Sequence, residues 1–260
     1  MEQGKAITNW RGGFGAVLLA FTLVSAPGYD APQSSLSPKF AGYADQLLKK
    51  AKANHEADPD DFEKAWQLAK AYFYAGEFAT NKTLHVKLAE AGIAVSRIAL
   101  ASQPESAEAN YYLSLNQGQL ARNKLLGALS LVRQMEDQLI KAAAKQAKLD
   151  HGGPDRCLGL LYRDAPGWPI SVGDRKKART RLLKAFAAVP DYPENILVLL
   201  ETWLKFKDAR QLKADLPKGE SILRKARKKL TGKEWEALWY DWERRWKDIQ
   251  ARAKRLLSAD

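Results

Sequence analysis

DRKKARTRLLKAFAAVP, residues 174–190, is the stretch that decides the architecture. Ala178, Leu182 and Ala185 follow one another at spacings of four and three, and Pro190 comes five residues later. At 3.6 residues per turn, those three side chains share one face of a helix. A small residue where two helices cross lets their backbones approach, and a bulky neighbour fills the groove beside it. Pro190 cannot continue the helix and turns the chain into the next segment. The run reads as the second arm of an antiparallel helical hairpin.

The pattern recurs outward from there. EKAWQLAKAYFYAGEF (63–78), with Leu68, Ala69, Tyr72, Gly76 and Phe78, reads as a first arm, and AGIAVSRIALASQP (91–104), with Gly92, Ala99 and Pro104, as its partner. ESAEANYYLSLNQG (105–118) opens a second unit, Leu113 and Ser114 standing where Leu68 and Ala69 stood. A third carries Leu158, Gly159 and Tyr162 opposite the 174–190 arm. A fourth opens at Asp191-Tyr192-Pro193, with Leu199, Leu200 and Trp203. From Ala41 on there is no sustained period-2 alternation; Tyr43, Leu47 and Ala51 already recur at helical spacing. Pro59, Pro104, Pro154, Pro190 and Pro217 fall at the expected segment borders. These units resemble tetratricopeptide repeats, which implies an all-α solenoid of stacked helical hairpins. Each hairpin leaves an apolar face bare until a neighbour covers it.

The repeats are irregular. Extra residues are expected around Thr80–Ala89, a long helical second half from Leu120 to Lys148, and an insertion, APGWPISVG, at 165–173. Insertions between paired helices emerge at one edge of the stack, where they shape a pocket or dock a partner.

Composition narrows the function classes. The 260 residues include 42 Lys+Arg and 30 Asp+Glu, a net charge of +12, and 46% are hydrophobic. That balance suits acidic partners without choosing among protein, anionic lipid and nucleic acid. A lone Cys157 excludes an intramolecular disulfide and a Cys-clustered metal site. Set among Leu158, Leu160 and Leu161, it reads as a buried thiol. There is no phosphate-cradling Gly loop, no His-Glu-x-x-His and no G-x-S-x-G elbow. The sequence therefore assigns no catalytic residue, no metal ligand and no cofactor, and the reading is of a non-enzyme.

The two ends differ from the middle. Residues 1–28 place Lys5 and Arg11 before an apolar run, Phe14 to Val24, followed by small residues. This is the layout of a secretory signal peptide, with cleavage expected between Gly28 and Tyr29. An uncleaved anchor is the competing reading. No Cys follows the run to accept a lipid, so the expected location is the periplasm, without a lipid anchor. Residues 29–40 read as a linker, 41–217 as the repeat domain and 218–260 as a basic, Trp-rich helical segment. In that last segment Trp235, Trp239, Trp242 and Trp246 step by four, three and four, and Ile249, Ala253 and Leu256 continue the stripe. Three readings are open for it: a helix capping the last repeat, a self-association or docking face, and an interfacial membrane helix. Capping is favoured over a membrane-surface role.

Two stretches go beyond the general repeat: NYYLSLNQGQLARNKLLGALSLV (110–132) and DHGGPDRCLGLLYRDAPGWPISVGDRKKAR (150–179). Together they resemble the T component of tripartite ATP-independent periplasmic (TRAP) transporters over roughly residues 60–216. The resemblance implies a non-enzymatic helical protein that oligomerises and associates with the system's solute-binding component. A periplasmic protein partner and a homo-oligomer are thus expected, and nucleic acid is not. The rival reading is a carrier holding a small apolar or lipid-like ligand in a channel between the hairpins.

In such repeats the first arms line the inner face. By this register Trp66, Lys70, Phe73, Tyr111, Arg156, Arg163 and Glu201 point inward, with Asn116 beside the Tyr111-Tyr112 pair. Mixed aromatic and Arg side chains are common anchors of binding surfaces, although packing between units would use the same residues. Trp168, between two prolines, reads equally as a lid or as a docking knob. The segment Asp150–Arg156 reads either as a tight turn with His151 exposed or as an anion or partner contact at a helix start.

Overall fold

The computed structural model describes residues 38–123 and 127–258, so the signal peptide expected at 1–28 and residues 29–37 of the expected linker lie outside the described residues. The described part contains ten α-helices: α1 Ala41–Ala57, α2 Phe62–Glu77, α3 Lys82–Ser102, α4 Ala107–Asn123, α5 Ala128–Lys145, α6 Gly153–Asp164, α7 Arg175–Ala188, α8 Pro193–Phe206, α9 Ala209–Ala226 and α10 Lys233–Leu257. Among the described residues there is no strand, only an isolated bridge between Gly167 and Gly173. No helix among them is long and apolar enough to cross a membrane.

Helix starts follow the sequence chemistry. The side chains of Asp61, Asn81, Asp174 and Asp208 each accept a bond from a backbone N–H of the first turn they cap, in α2, α3, α7 and α9. Pro154 and Pro193 stand in the first turns of α6 and α8, where the missing N–H is not needed. Pro104 and Pro190 lie in the turns that close α3 and α7, as expected.

The helices pack as four hairpins, α2/α3, α4/α5, α6/α7 and α8/α9, with α1 against α2 and α10 laid back on α8. The close crossings fall where small residues were expected. Ala178, Leu182 and Ala185 are buried on α7. A Cβ on Gly159 would collide with the Leu182 side chain, so α6 and α7 approach only because that position is glycine.

Three details differ from the sequence expectation. Residues 82–89 form the first turns of α3, and only 78–81 join it to α2, so that unit has no inserted loop. The long second half expected from Leu120 to Lys148 is split: α4 runs on to Asn123 and α5 starts at Ala128, with Gly127 at φ +82° before it. Pro217 lies inside α9 rather than at a border, so the fourth hairpin extends to Ala226, beyond the expected limit at 217.

Burial is uneven between the arms. α6 is buried at every residue from Gly153 to Tyr162 and α8 from Pro193 to Leu200, whereas α7 buries only Ala178, Leu182 and Ala185. A helix buried all round is covered on every side. α10 supplies part of that cover. Trp235, Trp239 and Trp242 are buried, Trp246 lies beside Gly219 of α9 and Leu200 of α8, and Ile249 and Ala253 complete the stripe. The helix also reaches the turn before α1, where Tyr240 meets Phe40 at 5.7 Å between ring centroids. The indoles face the protein, which matches a capping helix and leaves no open Trp face for a membrane surface.

Candidate functional site

The inner face is a web of side chains that bond to one another and to nearby backbone. The Tyr111 hydroxyl donates to Asp150 Oδ2 at 2.6 Å and lies 3.9 Å from Cys157 Sγ. The Arg156 guanidinium donates to Asn195 Oδ1 at 2.8 Å and to the carbonyls of His151 and Asp150 at 3.0 and 3.1 Å. Those two carbonyls belong to residues in left-handed conformation, Asp150 at φ 45° and His151 at φ 56°. Such angles cost roughly 1–2 kcal/mol per L-residue, and the Arg156 fork holds them in place. Asn195 Nδ2 adds a bond to the His151 carbonyl at 3.0 Å.

The Asp150–Arg156 segment is thus an internal turn. His151 is half-buried rather than exposed, stacked on Tyr192 at 4.2 Å and edge-on to Trp235 at 6.1 Å. Burial pushes its imidazole below the usual histidine range, and Arg156 and Lys70 add to that against the pull of Asp150. Burial likewise lowers the Lys70 ammonium, with Asp150 opposing. The Cys157 thiol is pushed up to about 12 by burial, so it stays protonated and poorly nucleophilic at neutral pH.

The other predicted inner residues are tied up in the same way. Trp66, half-buried, stacks on Tyr112 at 6.0 Å and donates to Glu63 at 3.0 Å. Lys70 lies 5.7 and 5.8 Å over the Tyr74 and Tyr112 rings. Phe73 is fully buried and packs on Tyr74. Asn116 Nδ2 bonds the Ala69 carbonyl of α2 at 3.1 Å, and Gln119 Nε2 bonds the Phe73 carbonyl at 2.8 Å and Glu77 at 2.7 Å. Arg163 pairs with Asp164 at 2.7 Å, and Glu201 is bound by Arg245 of α10 at 2.7 Å. Arg245 also holds Glu194 at 2.8 Å, and Trp242 Nε1 donates to the same carboxylate at 2.7 Å. Eight of the nine predicted residues are therefore engaged inside the protein. Phe73, Tyr111, Tyr112 and Leu115 of α2 and α4 are all buried in one apolar cluster.

The ninth stands apart. Trp168 is 88% exposed and Ile170 is 59% exposed. The loop that carries them is pinned by its own backbone: Gly173 N–H donates to the Pro166 carbonyl at 2.8 Å, Ile170 N–H to that of Gly167 at 3.1 Å, and Asp174 N–H to that of Tyr162 at 2.8 Å. Beside it lies a hollow of about 490 Å³ walled by Arg133, Glu136 and Asp137 of α5 and by Lys177 of α7. The Ser171 hydroxyl in that wall is buried with no hydrogen-bond partner among the described residues. Sequence reasoning missed the α5 wall, because nothing local ties Arg133 to Trp168. Ile170, two residues from Trp168 in the same insertion, was within reach.

No family model matches the chain, and no curated protein matches it. Among solved structures it is similar to the crystal structure of a thermophilic tetratricopeptide-repeat protein of Thermus thermophilus. The TM-score is 0.53 at 19% identity, over 83% of this chain and 91% of that one. Identity that low speaks for the fold alone. The fold is a tetratricopeptide-like solenoid of stacked helical hairpins.

Proposed function

We propose that this chain is an exported, non-enzymatic helical-repeat scaffold that binds a protein partner in the periplasm, and that the 165–173 insertion is its docking edge. The observation that carries the proposal is Trp168, a large aromatic held outward on a stiff loop beside a polar-walled hollow. Exposed Trp next to a cavity is the kind of side chain that anchors interfaces, and a preformed loop keeps the ordering cost of binding low. The finer reading, a T component of a TRAP-type uptake system whose partner is the solute-binding protein, rests on the resemblance of 110–132 and 150–179. The second of those stretches contains the docking loop itself.

The test is capture from a periplasmic extract with the purified wild type and with a Trp168→Ala/Ile170→Ala variant. A specific partner held by the wild type and lost by the variant is expected, with a transporter solute-binding protein supporting the finer reading. Equal recovery of every captured protein by both would overturn the docking edge.

A further inference from the structure

No hairpin is stacked beyond α9 among the described residues, and α10 lies mainly on α8. α9 buries Leu212, Asp215, Gly219, Leu223 and Ala226 and turns its other side to water. At 3.6 residues per turn the outward arc collects Arg210, Lys213, Lys218, Arg224 and Lys225, every one exposed. The turn that follows still bonds back to the helix: Lys228 N–H donates to the Lys225 carbonyl at 3.3 Å, and Lys229 N–H to that of Ala226 at 2.9 Å. It brings the exposed Lys228 onto the same arc, and the stripe from Arg210 to Lys228 is about 27 Å long at 1.5 Å per residue. Ala214, Pro217 and Ser221 run along its middle, short side chains that leave the cations on either flank uncrowded.

Little on the protein neutralises this stripe. Asp215 of α9 is buried, where it accepts a bond from Trp203 Nε1 at 2.9 Å and one from the Lys218 ammonium at 2.7 Å. Glu220, the other carboxylate of α9, sits at the margin of the arc. Of the six cations only Lys218 has an ion pair among the described residues. α7 shows the other use of such side chains: its Lys177, Arg179 and Arg181 pair with Glu136, Asp208 and Asp155. Cations there tie neighbouring segments together. Those on α9 stand three and four residues apart, as in Arg210 and Lys213 or Arg224, Lys225 and Lys228, a spacing at which like charges repel. A negative surface laid against them relieves that repulsion.

The kind of surface follows from what the stripe lacks. None of the large exposed apolar side chains among the described residues lies on α9. Protein interfaces are built around aromatic and aliphatic anchors and are depleted in Lys, and single-stranded nucleic acid is held by stacking on aromatic rings. A row of cations on a convex helix suits a plane of continuous negative charge, where each Lys or Arg near the surface adds to the attraction and no side chain has to enter. We infer that α9 and the turn after it form an adsorption face for an anionic phospholipid bilayer. The solenoid lies on the membrane by charge alone, with the indoles of α10 still packed inward. The face is separate from the 165–173 edge. Preferring lipid to duplex nucleic acid rests on the exported reading proposed above, and the experiment includes both.

Co-sedimentation with unilamellar vesicles tests this, phosphatidylcholine alone against phosphatidylcholine mixed with phosphatidylglycerol. The chain from Tyr29 is used, which keeps every described residue and omits the apolar run Phe14 to Val24 that would itself enter a bilayer. Binding is expected to the mixed vesicles only, and it should fall steeply as added salt shortens the screening length. Lys213→Gln/Arg224→Gln/Lys225→Gln/Lys228→Gln should weaken partitioning about a hundredfold or more, at roughly three- to fivefold per cation. Lys49→Gln/Lys50→Gln/Lys82→Gln/Lys87→Gln removes the same charge from exposed positions of α1 and α3 and should cost less than about threefold. All eight side chains are exposed, so both variants should keep the wild-type helical circular dichroism. Trp168→Ala should leave vesicle binding unchanged, which separates failure of this face from failure of the docking edge. Binding to neither vesicle, equal binding to both, binding that survives high salt, or equal losses in the two quadruple variants would each overturn the face. So would binding to a DNA duplex or to polyglutamate without binding to the mixed vesicles.

Discussion

The inner face and the 165–173 edge use the same kinds of side chain to opposite ends. On the inner face Tyr111, Arg156, Trp242 and Arg245 are buried, and each one bonds to protein groups. On the edge Trp168 and Ile170 stand in water. Residue type therefore does not mark a docking surface. What marks it is a large apolar side chain that the fold leaves uncovered. The contrast predicts that substitutions on the inner face act on folding and those on the edge act on binding.

The largest effect is expected where α10 locks the solenoid. Arg245 is 4% exposed in its side chain and meets Glu194, itself 2% exposed, along with Glu201 and Asp241. Removing one partner of a buried pair leaves the other charged and desolvated, at a cost of about 3–5 kcal/mol. Arg245→Met should lower the melting temperature by about 10 °C in a chain of this size. Trp242→Ala, which empties a fully buried site and also frees Glu194, should cost a similar amount. Thermal denaturation checks both, and a loss below about 1 kcal/mol for either would mean that α10 is only loosely applied.

A smaller and more specific effect is expected at the crossing of α3 with α4. A Cβ on Gly92 would run into the Asn116 amide, the same amide that bonds the Ala69 carbonyl. Gly92→Ala should destabilise the protein by about 1–3 kcal/mol through overpacking. In an Asn116→Ala background the obstruction is gone, and Gly92→Ala should then cost little. The double-mutant cycle reads that coupling directly, and additive costs would place the clash elsewhere.

Asn116 also shows where the sequence stopped being legible. Hairpins could be read because small and bulky residues at helical spacing encode a crossing, as at Gly159 against Leu182. The inward direction of Trp66, Lys70 and Tyr111 could be read from the same register. What could not be read was that the face would be closed. Closure depends on α10 returning to α8 through contacts such as Arg245 to Glu194, 51 residues apart in sequence. Periodicity reports which side of a helix is apolar and says nothing of which distant segment arrives to cover it. The Trp stripe gave the capping helix, but not its reach back to Phe40. Pro217 was misread because a proline bars helix continuation only by its ring and missing N–H, and α9 accommodates both.

The inner face should also make the protein sensitive to acid. The His151 imidazole is held below the usual value near 6.5, first by burial and then by Arg156 and Lys70. A group with a depressed folded-state value contributes stability that is full above 6.5 and is lost as pH falls below it, because protonation favours the unfolded chain. His151→Asn keeps a residue that tolerates the left-handed backbone and removes the titration. Between pH 7 and 5 the wild type should lose a few degrees more in melting temperature than the variant. Parallel curves for the two proteins would mean that the His151 charge is not excluded by its surroundings.

The smallest expected effect on stability is at the edge, and it sharpens the contrast most. Trp168 is almost fully exposed, and the backbone bonds that pin its loop run between other residues, Gly173 to Pro166 and Ile170 to Gly167. Trp168→Ala should therefore change unfolding free energy by less than about 0.5 kcal/mol, the ordinary range for a surface position. A large apolar side chain kept in water gains nothing for the fold, so its removal costs nothing there, and any loss must appear in partner capture. If Trp168→Ala instead lowered stability by 2 kcal/mol or more, the indole would be acting as a lid over the α6/α7 hairpin. The edge would then belong with the inner face, as packing rather than as a surface for docking.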